Sequence, residues 1–435
     1  MAIKPKGKTE NVTCFFWFSS DLGSMPVIVQ GIVKEMQSYA SENAYAYIKC
    51  PSENQTEIKM PPLYVALANE HAKSPNRNVQ LLVENREMCL HSIFENKTAF
   101  SGNKNNTGSD KHTYNKRIVE FTVCIPPMFK YDNAAQLVEK LEMVRLLGAG
   151  RVVLYNNSIA HNVHSVLHFY TQQWAAGNET LEVVVHPWNL PPIHVSYFGQ
   201  IAAMDDCLYR YGWLSQYMVF DDLDEIMVPL RHDNWSVLIA EREKLYPDHV
   251  AFMFRSSVMN KDHSSPAHGF QADAFRYRSS VLAFTQRDNF IYEPNNKGKL
   301  IINPRKVETM EVHHVYEGNG PTDIIPVNQG ILYHYRWPLL PCHFEVKDSR
   351  VASKFGKRLL ARLKSVWSRL KSISMGGELP RPGFLRVSSE IFQRKHGEAL
   401  EGLHNTINAA NDIVLAGCGK TYAEAYLSIW NLSDA

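Results

Sequence analysis

The sequence predicts an α/β protein with a β-rich beginning and a helical end. Three observations predict it: strand-like and helix-like segments alternate through residues 117–185, short β-type runs precede residue 117, and a basic amphipathic helix follows Cys342. A chain of 435 residues divides into two or three domains, and 45% hydrophobic with 21% charged residues allows a sizeable core. The expected boundaries are 1–117 for a β-rich accessory domain, 118–345 for the α/β domain and 346–435 for the helical region. A net charge of +2 and scattered aromatic residues argue against a nucleic-acid partner.

In the first region, Cys14-Phe15-Phe16-Trp17, Pro26-Val27-Ile28-Val29, Tyr45-Ala46-Tyr47-Ile48 and Leu81-Leu82-Val83 read as strands separated by polar turns. Residues 101–116 read as a linker or loop. The second region opens with a strand that runs into the Pro126-Pro127 turn. Leu137, Leu141, Val144 and Leu147 then recur at helical spacing until Gly148 and Gly150 stop them. A strand at 151–157, a helix around 164–174 and a strand at 181–185 complete a βαβαβ series, which favours a parallel sheet with right-handed crossovers. No G-x-G-x-x-G is present, so a dinucleotide fold is not indicated. The next helix, 199–210, carries Gln200, Cys207 and Arg210 near one face, with Asp206 and Arg210 spaced for an ion pair. Past Cys342, Phe355, Leu359, Leu363, Val366 and Leu370 share one face of a basic helix. That face is expected to pack on the α/β domain rather than lie on a membrane, with a turn at 376–383 before terminal helices.

The richest chemistry follows the apolar run Tyr217-Met218-Val219-Phe220. A strand that stops at Asp221-Asp222-Leu223-Asp224-Glu225 delivers carboxylates to the C-terminal edge of a sheet, where open α/β sheets bind ligands. Alternation along an extended chain points Asp222 and Asp224 to one side, where they suit a hard cation carrying a diphosphate, Mn²⁺ with Mg²⁺ as the alternative. The same alternation turns Glu225 away into a supporting place. Eight N-x-S/T sequons, at Asn11, Asn54, Asn96, Asn105, Asn156, Asn178, Asn234 and Asn431, point to the secretory pathway. Seven widely spaced cysteines without a CxxC disfavour zinc and favour scattered disulfides. No run of about 18 apolar residues exists.

Residues 124–336 resemble glycosyltransferase family 92, whose signature matches Gln200, Asp206-Cys207, Arg210, Phe220, Asp222 and Asp224-Glu225. The resemblance implies a GT-A type nucleotide-sugar-binding domain. It also implies donor contacts from Pro126, Tyr155, Gln200, Asp206 and Asp222, and a phosphate contact from Arg336. The strand-Pro-strand-His segment 299–315 matches the family and makes His314 the expected third metal ligand beside Asp222 and Asp224, with His334 as competitor. The implied activity is metal-dependent, inverting transfer of galactose from UDP-galactose, in β1,4 linkage, onto a β-galactoside-terminated N-glycan. Asp288 or Glu293 is the expected base, with Asp262, Asp273 and Asp323 left open. Trp188, Tyr197, Phe270, Tyr292, Tyr316 and Trp337 are expected either to pack in the core or to stack on sugars. The resemblance further implies the lumenal part of a type II Golgi membrane protein, touching the membrane only through an anchor missing from this chain. Two other classes would use similar acids: a glycoside hydrolase, with two carboxylates roughly 5–10 Å apart and no cation, and a non-catalytic sugar-binding protein on a degenerate transferase fold.

Overall fold

A computed structural model describes residues 2–5, 11–18, 25–35, 43–50, 64–69, 81–82, 118–178, 180–190, 196–261, 264–337 and 345–377. The expected loop at 101–116 and the terminal helices lie outside them, as do Cys89, Cys342 and Cys418. The β-rich start is a six-stranded antiparallel arrangement of Ala2–Pro5 (β1), Val12–Trp17 (β2), Val27–Glu35 (β3), Asn43–Lys49 (β4), Tyr64–Asn69 (β5) and Leu81–Leu82 (β6), in the order β1-β4-β3-β2-β5-β6. Phe15, Trp17 and Ala66 form its small core, and the Cys14–Cys50 disulfide crosslinks it.

The α/β domain follows the expected alternation. Val119–Cys124 (β7), Ala134–Leu147 (α1), Ala149–Asn156 (β8), His161–Ala175 (α2) and Glu182–Pro187 (β9) lead to Gln200–Tyr211 (α3) and Ser215–Phe220 (β10). β7, β8, β9 and β10 are mutually parallel, with β7 between β8 and β10, so the chain reverses its direction of travel across the sheet between β7 and β10. Ligands bind outside the carboxyl ends of strands at such a switch point. α1 starts where the Asn133 side chain accepts the Gln136 N–H at 3.0 Å, and it stops where Gly148 takes a left-handed φ of 112°. Along β7, Phe121 and Val123 face α1, while Cys124 faces the opposite layer and is disulfide-bonded to Cys207 of α3.

After β10 the chain forms Glu225–Pro229 (β11), Trp235–Leu245 (α4), Ala251–Phe254 (β12), Ser256–Asn260 (β13), the short helices Gln271–Arg276 (α5) and Ser280–Ala283 (α6), and Gln286–Asp288 (β14). Lys299–Ile302 (β15), Val307–Met310 (β16), Val315–Gly318 (β17), Thr322–Ile324 (β18), Gly330–Arg336 (β19), Glu345–Lys347 (β20) and Arg350–Arg369 (α7) complete it. The main sheet runs β18-β12-β15-β10-β7-β8-β9, and a second sheet runs β11-β19-β13-β14-β20. β20 begins at the expected boundary at residue 345 yet pairs with β14, and α7 buries Phe355, Leu359, Leu363 and Val366 in the same core as β7 and α1. Each such side chain contributes about 1.5–3 kcal/mol, enough to settle the amphipathic helix onto protein. Among the described residues no helix is long and apolar enough to cross a membrane.

Candidate active site

The acidic segment is a turn. β10 ends at Phe220, Asp221 to Asp224 leave the extended conformation, and the Glu225 N–H donates to the Asp222 carbonyl at 3.2 Å as β11 begins. The expectation that alternation along one strand aims both D-x-D carboxylates is corrected accordingly: the turn aims them. Its cause lies underneath. Lys140 of α1, 1% exposed, donates at 2.6 Å both to Asp221 Oδ2 and to the Glu225 carbonyl, so one buried ammonium draws the chain inward between two strands. Burial pushes the Asp221 carboxyl up, against the pull of Lys140.

Above this staple, β11 and β19 pair antiparallel with Glu225 opposite His334. His334 Nε2 lies 3.2 Å from Asp224 Oδ2, and its Nδ1 lies 3.3 Å from Glu225 Oε1. Glu225 Oε2 accepts the Asp222 N–H at 3.1 Å. Lys299, the first residue of β15, reaches Asp222 Oδ2 at 3.0 Å and Glu225 Oε2 at 3.6 Å, while Gln200 Nε2 is 3.4 Å from Asp222 Oδ1. Burial disfavours the Asp224 carboxylate, yet the charge and hydrogen bond of His334 win and hold it down at about 2. Burial dominates at Glu225 and lifts it to about 7 although Lys299 opposes this. Burial works against charge on His334 too, but Glu225 and Asp224 raise its pKa.

His334 therefore stands where His314 was expected. β16 and β17 form their own two-stranded sheet, and the turn between them is closed by the Glu311 N–H on the His314 carbonyl at 2.9 Å; burial lowers the pKa of His314, and the histidine that meets Asp224 is His334. His313 instead comes near Lys299, and burial with that neighbouring charge lowers its pKa to about 4. Among the described residues no three His, Cys, Asp or Glu side chains are placed to hold a metal by themselves. The donor set nevertheless fits a hard divalent cation completed by substrate: Asp224 Oδ2 and His334 Nε2 are adjacent, the Asp222 and Asp224 side chains are 33% and 34% exposed, and Mn²⁺ or Mg²⁺ is commonly held by one or two carboxylates plus substrate phosphates.

The other expected residues are distributed as follows. Pro126 lies in the loop after β7, between the Ile125 and Met128 N–H groups that donate to the Val153 and Tyr155 carbonyls. Tyr155, buried at the end of β8, donates to Asp206 Oδ2 at 2.7 Å, and Asp206 also accepts from Arg210, so these residues bond to one another. Arg336 ends β19, and its charge together with burial lowers the pKa of Lys297 to about 7, with burial the larger cause. Asp288 is 8% exposed in β14, whereas Glu293 is 75% exposed and lies 3.3 Å from Arg255. The two are not brought together. Asp323 is buried in an ion pair with Arg242, Asp273 meets Lys364, and Asp262 lies outside the described residues. Tyr292 is buried and Phe270 packs against the core, while Tyr197, Tyr316 and Trp337 are exposed.

Lys140, Lys299 and Lys297 were missed in the sequence. Lys299 does carry a signal, a lone lysine opening the apolar run Leu300-Ile301-Ile302. Before α3, Tyr197, Phe198 and Gly199 take φ of 47°, 53° and 81°, and Phe198 stacks on Phe129 with ring centroids 3.8 Å apart. Consecutive left-handed residues of this kind cluster at ligand sites.

A mixed sheet whose parallel strands β10, β7, β8 and β9 set a switch point beside an acidic turn, helices on both faces and a β-rich addition define an α/β protein of the GT-A type. Residues 119–364 match the profile of glycosyltransferase family 92, and the chain belongs to that family. It is 23% identical over 259 residues to the beta-1,4-galactosyltransferase galt-1 of Caenorhabditis elegans, covering 57% of this chain and 54% of that protein. To the glycosyltransferase family 92 protein F59C6.8 of the same organism it is 21% identical over 287 residues, covering 58% and 53%. The chain thus spans about half the length of these curated relatives. Among solved structures it is similar, at a TM-score of 0.28 and 12% identity, to the mannosyltransferase PcManGT from Pyrobaculum calidifontis in complex with GDP-Man and Mn2+, covering 66% of this chain and 81% of that one.

Proposed function

We propose that this domain is a metal-dependent inverting glycosyltransferase that moves galactose from UDP-galactose, in β1,4 linkage, onto a β-galactoside at the end of a glycoprotein N-glycan. One observation carries the proposal: Asp224 Oδ2, on a side chain 34% exposed, and His334 Nε2 lie 3.2 Å apart beyond the carboxyl end of β10 in a family 92 domain. Galactose as the sugar rests on the likeness to galt-1, whose name assigns β1,4 transfer to that protein. Asp224 and His334 would hold a divalent cation, which would supply Lewis acidity toward the donor diphosphate.

The chain's own residues do the rest. Asp222, held by Lys299 and Gln200, faces the donor from the other side of the turn. Arg336 offers its planar fork to phosphate oxygens, with Lys297 beside it. Asp288 is the base we assign. Val258 pairs with His334, and one residue from the Met259–Arg287 pair the register puts Asp288 on the same face, two strands or roughly 10 Å from His334. Asp288 takes the acceptor hydroxyl proton as that oxygen attacks the anomeric carbon opposite the diphosphate, inverting it. The disulfides and sequons support a secretory-pathway setting, the lumenal part of a Golgi protein.

The test is UDP release from a panel of UDP-sugars with Mn²⁺, with and without a β-galactoside acceptor and EDTA. Acceptor-stimulated, EDTA-sensitive release from UDP-galactose, lost in Asp224→Asn, is the expected result. Release unaffected by EDTA and by Asp224→Asn would remove the metal mechanism, and no release from any donor would remove transfer itself.

A further inference from the structure

α2 carries His161, His164 and His168, all exposed and all on its outer stripe, while Val163, Val166, Leu167 and Tyr170 are buried on the opposite side. Residues three and four apart on a helix are neighbours, about 5–6 Å between Cβ atoms. Of the three, His164 and His168 meet: their ring centroids are 6.4 Å apart and their planes 20° from parallel. Among the described residues neither ring has a hydrogen-bond or ion-pair partner, so no protein group competes for its nitrogens. The helix packs on β9, at the far end of the run β10-β7-β8-β9 from the acidic turn. Two imidazoles without a carboxylate also select differently from that turn. Imidazole suits Zn²⁺ and Cu²⁺, whereas carboxylates suit Mn²⁺ and Mg²⁺.

We infer that His164 and His168 form a second metal site, a two-histidine chelate on the outer face of α2 for Zn²⁺ or Cu²⁺, with water completing the coordination. Bonds of about 2.0–2.1 Å from each nitrogen to one ion put the two ring centroids roughly 5 Å apart. Rotation of two exposed side chains therefore has only about 1 Å to close. His161 lies on the same stripe, but the helix rises about 10 Å between it and His168, too far for one ion to hold both. That agrees with the absence of any three-residue metal cluster among the described residues. Once one imidazole has bound the ion, the other binds within the same molecule, so the pair outcompetes a single histidine. The bound ion joins two successive turns of α2, and it stabilises the fold because the unfolded chain does not hold the two rings together. Neither the donor nor the acidic turn is needed for this site, so it stands independently of the transferase reading.

The test is calorimetric titration of Zn²⁺ at pH 7.5 into the unmodified protein, His164→Gln, His168→Gln, His161→Gln and Asp224→Asn, with thermal unfolding recorded with and without Zn²⁺. Expected is a binding event weakened at least about tenfold in His164→Gln and in His168→Gln, and kept within about threefold in His161→Gln and Asp224→Asn. Zn²⁺ should raise the unfolding midpoint of the unmodified protein and leave that of His164→Gln and His168→Gln in place. Without Zn²⁺ those two variants should unfold with the unmodified protein, because both side chains are exposed and leave no buried partner behind. A Zn²⁺ event that survives both substitutions would overturn the inference, as would one lost in His161→Gln but not in His168→Gln. An event abolished by Asp224→Asn alone would belong to the acidic turn and overturn it equally.

Discussion

Asp224 can be proposed as a site residue from the sequence alone because an acidic cluster ending an apolar run has few structural uses. Its partner cannot, because the pairing of β11 with β19 joins residues 110 positions apart and no local pattern ranks His334 above His314. The two histidines therefore give a sharp prediction. His334→Ala should reduce donor turnover by at least about 10–100-fold and abolish its dependence on added Mn²⁺, whereas His314→Ala should leave that dependence in place; steady-state rates across a Mn²⁺ titration decide it. The sequons separate by the same kind of local geometry. Asn178 is exposed just beyond α2, the Asn156 amide oxygen is buried, and the Asn234 side chain caps α4 by accepting the Val237 N–H at 3.2 Å. Of these three, Asn178 is the one expected to carry a glycan after expression in a secretory host, and peptide mapping after enzymatic deglycosylation would contradict this by finding Asn156 modified.

Elements were easier to foresee than their ends. The βαβαβ series and the apolar face of α7 follow from periodicities of two and 3.6, which need only neighbours in sequence. The break between β10 and β11 depends on Lys140, some 80 residues away, and a reading of the acidic run alone extends the strand through it. Because the Lys140–Asp221 pair is fully buried, Lys140→Met should cost about 3–5 kcal/mol by stranding a carboxylate, and adding Asp221→Leu should recover most of the loss. Urea unfolding of the two variants measures this, and a double mutant no more stable than the single would show that the pair does more than balance charge. In α7, Leu359→Ala should cost about 2–5 kcal/mol, while Lys357→Ala on its exposed face should stay within about 0.5 kcal/mol. Equal effects would mean that the helix is not held by its apolar face.

For the molecule as a whole, the parts are tied together at the β16–β17 hairpin. Lys34 and Lys49 of the β-rich region meet Glu317 at 3.1 and 3.0 Å, and on its other side α3 presents Asp205, which accepts the Met310 N–H at 3.0 Å. Exposed pairs such as those of Lys34 are worth at most about 1 kcal/mol, so the buried acids at this junction matter more. Asp205 is fully buried and Glu311 is 3% exposed, and burial lifts each carboxyl to about 7 from ordinary values of 3.8 and 4.5. A carboxyl whose folded pKa exceeds its unfolded one holds its proton more tightly when folded. Its stabilising contribution is therefore complete below about pH 4 and disappears as pH rises to about 7. Asp224 and Asp348, both held near 2, have already gained their stabilisation above pH 4 and are level across that window, while Glu225 acts in the same direction as Asp205 and Glu311. A tenfold difference in proton affinity between the folded and unfolded chain is worth about 1.4 kcal/mol, so these buried carboxyls favour pH 5 over pH 7.5, while His313, held at about 4, and Lys297, held at about 7, pull the other way. Asp205→Asn keeps the acceptor for Met310 N–H but cannot titrate, so it should flatten the dependence of the unfolding midpoint on pH and raise stability at pH 7.5. A slope identical to that of the unmodified protein would mean that Asp205 stays charged in the folded state, with a counter-charge at the junction holding it so.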